Sequence, residues 1–220
     1  MPNAIVTGAN RGIGLEFCRV LADREYKVLA LCRQPSPELE ALTVKIHDGY
    51  DVADPPSIKA FAEGIAPGSI DLLINNAGIL RSESLENMDF ASMQQQFEVN
   101  TLGPLRVSHS LLPALHTGAK IALITSRMGS IADNGSGGGY GYRMSKAALN
   151  MAGVSLAKDL ESRGIAVAIL HPGYVRTEMT NHSGMIDPEE SVAGLLDRID
   201  ELTMETSGGF WHSNGEALPW

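Results

Sequence analysis

Short apolar runs alternate with longer amphipathic stretches along most of the chain. Between the first two runs, Ile13, Phe17 and Leu21 fall on one face of a helix. This alternation is typical of βαβ units and predicts a parallel sheet covered by helices. The apolar runs with the length of strands are Ala4 to Thr7, Lys27 to Leu31, Val44 to His47, Asp71 to Ile74, Lys120 to Thr125 and Ile165 to Leu170.

Further helices are expected over Ser57 to Glu63, Asp89 to Leu115 and Tyr142 to Arg163. Asp187 precedes a proline and two glutamates, a typical helix start, and the body of that helix would span Ser191 to Leu202. No composition break or internal repeat divides the chain. We therefore expect a single α/β domain over residues 1–220, with a doubly wound parallel sheet of the Rossmann type.

Composition and charge indicate a globular protein with a single core and exclude several kinds of partner. With 220 residues, 44% of them hydrophobic, the chain can bury a sizeable core without disulfides or a metal. Its two cysteines lack metal-like spacing, so we expect no metal site. The net charge of −9 argues against nucleic acid or an anionic membrane as a partner. No apolar run spans a bilayer, and the first residues lead into a strand rather than a signal peptide, which favours a cytoplasmic protein.

The segment from Thr7 to Gly14 joins the first strand to the first helix and contains three glycines. Glycines permit a tight turn and a close backbone approach, and a helix N-terminus offers free N–H groups to a phosphate. The spacing, Gly-x3-Gly-x-Gly, departs from the Gly-x-Gly-x2-Gly of many dinucleotide sites. The turn predicts a pyrophosphate site whose candidate residues are Gly8, Asn10, Arg11, Gly12, Ile13 and Gly14.

The end of the second strand indicates which nicotinamide cofactor fits. An acidic residue there would accept a hydrogen bond from the ribose 2′-hydroxyl of NAD. The chain has Arg33 instead, and Arg11 stands in the glycine turn. Two guanidinium groups can clamp a 2′-phosphate, so NADP(H) is favoured. The alternative is that Arg33 is only a solvent-exposed residue of a loop and that Arg11 forms an ion pair with a surface carboxylate.

Tyr142 and Lys146 lie four residues apart and would share one face of a helix. A free tyrosine, with a pKa near 10, is a poor acid or base at neutral pH. A neighbouring ammonium group and an oxidised nicotinamide ring both stabilise the phenolate, so we expect them to lower the pKa of Tyr142. This spacing alone is weak evidence, because many such pairs are ordinary helix residues.

The order of these motifs resembles that of the short-chain dehydrogenase/reductase family, over almost the whole chain. Thr7-Gly8-x3-Gly12-x-Gly14 and Tyr142-x3-Lys146 both match the family's patterns. The stretch from Gly209 to Trp220 is similar to the family's small carbonyl-reductase-like branch, and it implies a last strand and a docked end. The family's habit of pairing through long helices implies a homodimer or homotetramer.

The resemblance implies a catalytic set of Asn100, Ser126, Tyr142 and Lys146. A serine just past the fifth strand would hydrogen-bond the substrate oxygen, where charge develops. Ser126 ends that strand and is favoured. Ser130 is the rival, because the glycine-rich segment before Tyr142 (residues 135–139) makes it unreliable to count residues back from the tyrosine. Asn100 would bend the long helix so that a main-chain carbonyl holds a water beside Lys146.

The resemblance also implies further cofactor contacts at the ends of later strands. Their backbone and side chains would line the adenine, the ribose and the nicotinamide carboxamide. His171 precedes a proline in an apolar run, and we expect it to be a core histidine whose ring nitrogens have hydrogen-bond partners, rather than a catalytic group. The implied cofactor residues are Asp51, Val52, Asn76, Ala77, Gly78, Pro172, Gly173, Val175 and Thr177, together with Tyr142 and Lys146.

The predicted function is NADP(H)-dependent hydride transfer that reduces a small or medium aldehyde or ketone, or the reverse reaction. Ile79, Leu80, Tyr174 and Met179 suggest a mostly apolar substrate pocket. The alternative from another class is a sensor or signalling protein that binds NADP(H) with little turnover. An epimerase or dehydratase is disfavoured, because the chain lacks a substantial second substrate domain.

Overall fold

Seven parallel strands form one sheet in the computed structural model, which describes residues 1–220. The order across the sheet is β3-β2-β1-β4-β5-β6-β7, so the direction of winding reverses between β1 and β4. Ligands of such sheets bind beyond the carboxyl ends of the strands at this reversal. The strands are β1 (Asn3–Thr7), β2 (Lys27–Leu31), β3 (Lys45–His47), β4 (Ile70–Asn75), β5 (Leu115–Ile124), β6 (Ala166–His171) and β7 (Phe210–His212).

Helices cover both faces of the sheet, and most of them bury apolar residues against it. They are α1 (Gly12–Asp23), α2 (Pro37–Glu40), α3 (Pro55–Glu63), α4 (Phe90–Phe97), α5 (Gly103–Leu111), α6 (Tyr140–Asp159) and α7 (Pro188–Asp200). Packing pairs α1 with α7 on one face, and α3 with α5 and α4 with α6 on the other. None of these helices combines the length and apolar character needed to cross a bilayer.

Alternate residues of each strand enter two separate cores. In β5, Ile121 and Leu123 belong to the core beneath α3, α5 and α6, while Ala122 and Ile124 belong to the core beneath α1 and α7. This follows from the two-residue period of a strand. Because both faces are covered, the central strands are mostly apolar, and the parallel sheet confirms the fold class predicted from the apolar runs.

The long helix predicted over Asp89 to Leu115 is wrong as one element. It is divided into α4, a π-helical segment at Glu98–Leu102 and α5, followed by a 3₁₀ turn at Leu112–Ala114. Leu115 already belongs to β5, which begins five residues earlier than the apolar run suggested. Gly118 adopts a φ of +92°, and the pairing with β4 is irregular there. This irregular, partly polar start hid the first half of the strand.

The carboxyl terminus is docked against the body of the protein. Trp220 stacks on Phe210 of β7, with ring centroids 5.2 Å apart. The Trp220 carbonyl oxygen accepts a hydrogen bond from the Ala132 N–H at 2.8 Å. The last strand and docked end expected for Gly209 to Trp220 are therefore present, and the tail braces the segment that follows β5.

Candidate active site

A cleft of about 360 Å³ opens at the carboxyl edge of the sheet. It lies beyond β5 and β6 and is bounded by the first turn of α6. Its walls bring together residues from distant parts of the sequence, including Ile13, Ser126, Tyr142, His171, Val175 and Thr177. Two of the catalytic candidates, Ser126 and Tyr142, thus meet the candidates for the nicotinamide end of the cofactor in this cleft, whereas Asn100 and Lys146 lie behind its wall.

The turn after β1 is tied to the end of β4 by Thr7 and Asn76. The Thr7 hydroxyl accepts hydrogen bonds from the backbone N–H groups of Asn76 at 3.0 Å and Ala77 at 3.1 Å. The Asn76 side-chain amide donates to the carbonyl oxygens of Thr7 and Gly8 at 3.1 and 3.2 Å. These bonds hold the Asn76-to-Gly78 segment beside the glycine turn.

The glycine turn fits a dinucleotide phosphate. Gly8 and Gly12 adopt positive φ angles of +65° and +52°, and a Cβ atom on Gly14 would lie 2.1 Å from the Gly8 carbonyl oxygen. No side chain caps the N-terminus of α1, so its first N–H groups remain available. Asn10 and Ile13 are half-buried along the same turn. The cradle thus offers backbone donors without obstructing side chains.

The two arginines proposed for a 2′-phosphate differ in their surroundings. Arg11 forms an ion pair with Glu178, and both side chains are about 60% exposed. This is the surface-acid alternative considered for Arg11. Arg33 is exposed just past β2, at the same edge of the sheet. Arg33 is thus the freer of the two, and Arg11 must exchange or share its carboxylate partner to bind an anion.

Asp51 and Val52 follow β3 at the far side of this edge. The Asp51 carboxylate accepts a hydrogen bond from the Ala53 N–H at 2.9 Å, which fixes the turn. Val52 is buried, and its side chain would touch a Cβ atom placed on Gly103 at 3.0 Å. Both residues lie just past β3, at the carboxyl edge of the sheet.

Ser126 and Tyr142 are both buried in the wall of the cleft. The Ser126 Oγ accepts a hydrogen bond from the Met128 N–H at 3.1 Å, so its own proton can be donated elsewhere. The rival Ser130 is also buried, but its Oγ accepts from the Asp133 N–H at 3.1 Å and it does not line the cleft. The geometry therefore favours Ser126 over Ser130 as the partner of a substrate oxygen.

The packing of the turn after Ser126 against α6 depends on Gly129. A Cβ atom at this position would lie 2.7 Å from the backbone carbonyl carbon of Lys146. The short turn at Arg127–Gly129 can pack against α6 only because that atom is absent.

The pKa of Tyr142 is shifted in the direction opposite to our expectation. Burial raises the pKa of Tyr142 to about 12, although a hydrogen bond with Ser126 lowers it in part. The Lys146 Nζ lies 5.7 Å from the Tyr142 ring centroid and donates to the Ile124 carbonyl oxygen at 2.9 Å. Burial also lowers the pKa of Lys146 to about 8. Burial therefore keeps Tyr142 protonated at neutral pH and makes it a weaker acid than a free tyrosine.

Asn100 is fully buried at the centre of the π-helical segment. Its Oδ1 accepts from the Ile79 N–H at 2.8 Å, and its Nδ2 donates to the Ile79 carbonyl oxygen at 2.8 Å and to the Ser145 Oγ at 3.0 Å. The expanded helical turn thus lets one amide connect the segment after β4 with α6. π-Helical turns inside α-helices occur frequently at functional sites.

The turn after β6 forms the other wall of the cleft. Gly173 adopts a φ of +88°, and the Pro172 carbonyl oxygen accepts from the Ser191 Oγ at 2.6 Å. Val175 is buried, and the Thr177 methyl group would lie 3.2 Å from a Cβ atom on Gly12. Thr177 also caps the short helix at Glu178–Thr180. The turn therefore closes over the N-terminus of α1.

The sequence predicts that His171 is a core histidine with hydrogen-bonded ring nitrogens, and the structure differs from this expectation. Its Nδ1 is buried without a hydrogen-bond partner, and its ring packs edge-on against His212, with centroids 4.8 Å apart. Burial lowers the pKa of His171 to about 3, with a further contribution from the neighbouring His212. His171 is therefore a neutral group in the wall of the cleft.

The buried carboxylate of Glu83 contacts the N-terminus of α6, and the sequence did not predict it. The Glu83 carboxylate accepts hydrogen bonds from the Gly141 N–H at 3.0 Å, the Gln96 amide at 2.7 Å and the Ser92 hydroxyl at 3.0 Å. It thereby fixes the turn that carries Tyr142. Glu83 lies in a polar loop without periodicity, so no local pattern indicates this role.

Comparison with known proteins gives a consistent family assignment. A family model for short chain dehydrogenases matches residues 2–185. The 1-hydroxy-2-glutathionyl-2-methyl-3-butene dehydrogenase of Rhodococcus sp. (strain AD45) is 40% identical, and the alignment covers 100% of both chains. C-signal of Myxococcus xanthus is 46% identical over 74% of this chain and 100% of its own length.

Solved structures agree with this assignment. The carbonyl reductase Sniffer of D. melanogaster superposes with a TM-score of 0.93 at 28% identity and covers 100% of both chains. The NADPH-bound carbonyl reductase from chicken fatty liver gives a TM-score of 0.90 at 33% identity, covering 100% of this chain and 99% of the other. The chain belongs to the short-chain dehydrogenase/reductase family, in its carbonyl-reductase-like branch.

Proposed function

We propose that residues 1–220 form one NADP(H)-dependent oxidoreductase domain that reduces a small or medium aldehyde or ketone, or oxidises the corresponding alcohol. The observation that carries the proposal is that Ser126 and Tyr142 line one cleft, with Lys146 buried beside the tyrosine. Two hydroxyl donors that converge on one point can hold the oxygen of a carbonyl group, where negative charge develops during reduction.

In the reductive direction, Tyr142 donates its proton to the carbonyl oxygen while Ser126 donates a hydrogen bond to the same atom. Burial keeps Tyr142 protonated at neutral pH, and its proton can be transferred because the substrate oxygen becomes a strong base as negative charge develops on it. Lys146 orients and electrostatically assists the tyrosine, and Asn100 holds the backbone around it through Ile79 and Ser145. The nicotinamide, when bound, supplies the hydride or accepts it.

A nicotinamide cofactor is what members of this family bind, and we propose NADP(H) as the preferred form. Arg33 and Arg11 would bind the 2′-phosphate, with Arg11 leaving or sharing Glu178. The remaining contacts of the cofactor would come from the glycine turn, Asp51, Val52, the Asn76-to-Gly78 segment and the turn after β6. The NADPH-bound chicken carbonyl reductase supports this choice.

The character of the cleft supports a carbonyl compound with an apolar part. Leu80, Met128, Tyr174 and Met179 contribute to its walls. The names of the relatives do not agree on one substrate, since they include a dehydrogenase of a glutathionyl alcohol and a reductase of 3-oxoacyl groups. We therefore assign a broad substrate class, and we expect the enzyme to work as a homodimer or homotetramer.

The direct test is a panel of aldehydes and ketones assayed by the absorbance of NADPH. We expect turnover of several members and a preference for NADPH over NADH. The name of one relative, C-signal, favours a second candidate function, in which the chain binds NADP(H) as a sensor or signal. Tight NADPH binding without turnover of any panel member would reject the enzymatic proposal and support this second candidate.

A further inference from the structure

Arg143 follows Tyr142 in the sequence and lines the same cleft. It lies in the first turns of α6 and is half-buried. Arg143 is one of the three residues between Tyr142 and Lys146, and it has no part in the chemistry proposed above. Its guanidinium group nevertheless lies in the wall of the cleft that would hold the substrate.

The hydrogen-bond partners of Arg143 are all uncharged. Its Nε donates to the Gly138 carbonyl oxygen at 3.2 Å, one terminal nitrogen donates to the Met128 carbonyl oxygen at 3.4 Å, and the other donates to the Ser136 hydroxyl at 2.8 Å. A guanidinium group has five N–H donors. Three of them are used in this way, so one N–H on each terminal nitrogen remains free.

Arg127, the other arginine in the cleft wall, shows the opposite arrangement. Its side chain forms ion pairs with two carboxylates, those of Asp133 and Glu216. The charged residues that line the cleft are Arg127, Asp133 and Arg143, and only Arg143 lacks an ionic partner. Arg143 is therefore the guanidinium group of the cleft wall that can still pair with an anion.

The three neutral partners also hold the Arg143 side chain in place. Two of them belong to the glycine-rich segment before α6, and the third belongs to the turn after Ser126. An arginine fixed in this way loses little further side-chain entropy when it binds an anion. Carboxylates match the planar donor geometry of arginine particularly well.

We propose that Arg143 binds a carboxylate of the substrate, so that the preferred substrates are aldehydes, ketones or alcohols that carry a carboxylate near the reacting carbon. This inference rests on the proposed function, because it assigns the substrate class of the same site. Arg143 then determines specificity and takes no part in proton or hydride transfer. Its contribution is to ground-state and transition-state binding alike.

The test compares 4-carboxybenzaldehyde with its neutral methyl ester, methyl 4-formylbenzoate. We expect the KM of the wild type to be about ten-fold lower for the acid, equivalent to about 1.4 kcal/mol. Arg143→Met should raise the KM for the acid to that for the ester and leave kcat for both nearly unchanged, the signature of lost uniform binding. Arg81→Met, an exposed arginine outside the cleft wall, is the matched control and should retain the preference.

Equal KM values of the wild type for acid and ester would overturn the inference. An equal rise in KM for both substrates in Arg143→Met would also overturn it, since a role confined to tying the glycine-rich segment affects both alike. Calorimetry with 4-(hydroxymethyl)benzoate and its methyl ester separates this inference from the proposed function. If the acid binds more tightly than its ester and Arg143→Met abolishes the difference, the carboxylate site is supported even when neither aldehyde is reduced. The lack of reduction would then contradict only the proposed function.

Discussion

The side-chain amide of Asn100 makes a reciprocal pair of hydrogen bonds with the backbone of Ile79, both at 2.8 Å. One amide thereby satisfies the donor and the acceptor of a residue 21 positions earlier in the chain. The pairing joins the segment after β4 to the π-helical turn, and the third bond, to Ser145, extends the connection to α6.

Substitution Asn100→Ala should therefore destabilise the protein and impair catalysis together. It leaves the Ile79 N–H and carbonyl groups without partners, and each buried unsatisfied group costs about 1–3 kcal/mol. We expect the free energy of unfolding, measured with urea, to fall by at least about 2 kcal/mol. Ser145→Ala leaves both bonds between Asn100 and Ile79 intact, and it removes the bond to Asn100 and the one that the Ser145 hydroxyl donates to the Tyr142 carbonyl oxygen. It should have the smaller effect; equal effects of the two substitutions would contradict the assigned role of the Ile79 pair.

The parallel strands could be predicted from the sequence because both faces of the sheet are covered. A strand buried on two sides requires an unbroken apolar run, as in Leu29 to Leu31 or Ala168 to Leu170. The first half of β5 escaped prediction for the converse reason: His116, Thr117 and Gly118 are partly or fully exposed. The division of the Asp89-to-Leu115 helix also escaped, since a π-helical turn leaves the local apolar period almost unchanged.

Candidate site residues could be located where a local motif dictates their environment. Gly8, Gly12 and Gly14 occupy a turn that only glycine fits, and Tyr142 and Lys146 occupy one helix. Contacts between distant segments could not be read in this way. The ion pair of Arg11 with Glu178 joins positions 167 apart, and the hydrogen bond of Glu83 with Gly141 joins positions 58 apart.

Ser126 and Ser130 provide a matched pair of substitutions. Ser126→Ala should lower kcat about 100-fold or more, as expected when a donor to a developing oxyanion is removed. Ser130→Ala should leave kcat close to the wild-type value, because its Oγ serves the Asp133 turn. Steady-state rates with the best substrate of the carbonyl panel decide between them, and a larger loss in Ser130→Ala would reverse the assignment.

Cofactor preference should depend on Arg33 more than on Arg11. Arg33→Ala should weaken NADP binding about ten-fold or more and leave NAD binding unchanged, since only NADP carries the 2′-phosphate. Arg24→Ala, which removes an arginine paired with Asp200 at the end of α1, is the charge control. Fluorescence titration with both cofactors measures the effect, and unchanged discrimination in Arg33→Ala would reject its role.

Glu178→Gln should strengthen NADP binding up to about five-fold, because it releases Arg11 from an exposed pair worth about 0–1 kcal/mol. The same titration applies. Weaker binding of NADP in this variant would show that Glu178 assists the cofactor site rather than competing for Arg11.

His171 should make the protein sensitive to acid. Its pKa is about 3 in the folded protein, compared with 6.5 for an ordinary histidine. Between these pH values the unfolded chain binds a proton that the folded protein does not, so the free energy of unfolding falls as the pH drops from 6.5 towards 3.

His171→Phe keeps a ring against His212 and removes this titration. The dependence of the unfolding free energy on pH should then be flatter by up to one proton, or about 1.4 kcal/mol per pH unit. Urea unfolding between pH 7 and pH 4 measures the slopes. Identical slopes for the wild type and the variant would show that His171 does not account for acid sensitivity.

Tyr142→Phe tests whether Tyr142 donates the proton in a cleft where Ser126 holds the substrate oxygen. The measurements are the rate of NADPH oxidation with the best carbonyl substrate of the panel and, in parallel, the affinity for NADPH. Phenylalanine preserves the ring beside Lys146 and removes only the hydroxyl. We predict a kcat lower by about 100-fold or more and an affinity for NADPH within about three-fold of the wild type, since at most one hydroxyl contact to the cofactor is lost. Turnover at the wild-type rate would show that Tyr142 does not donate the proton.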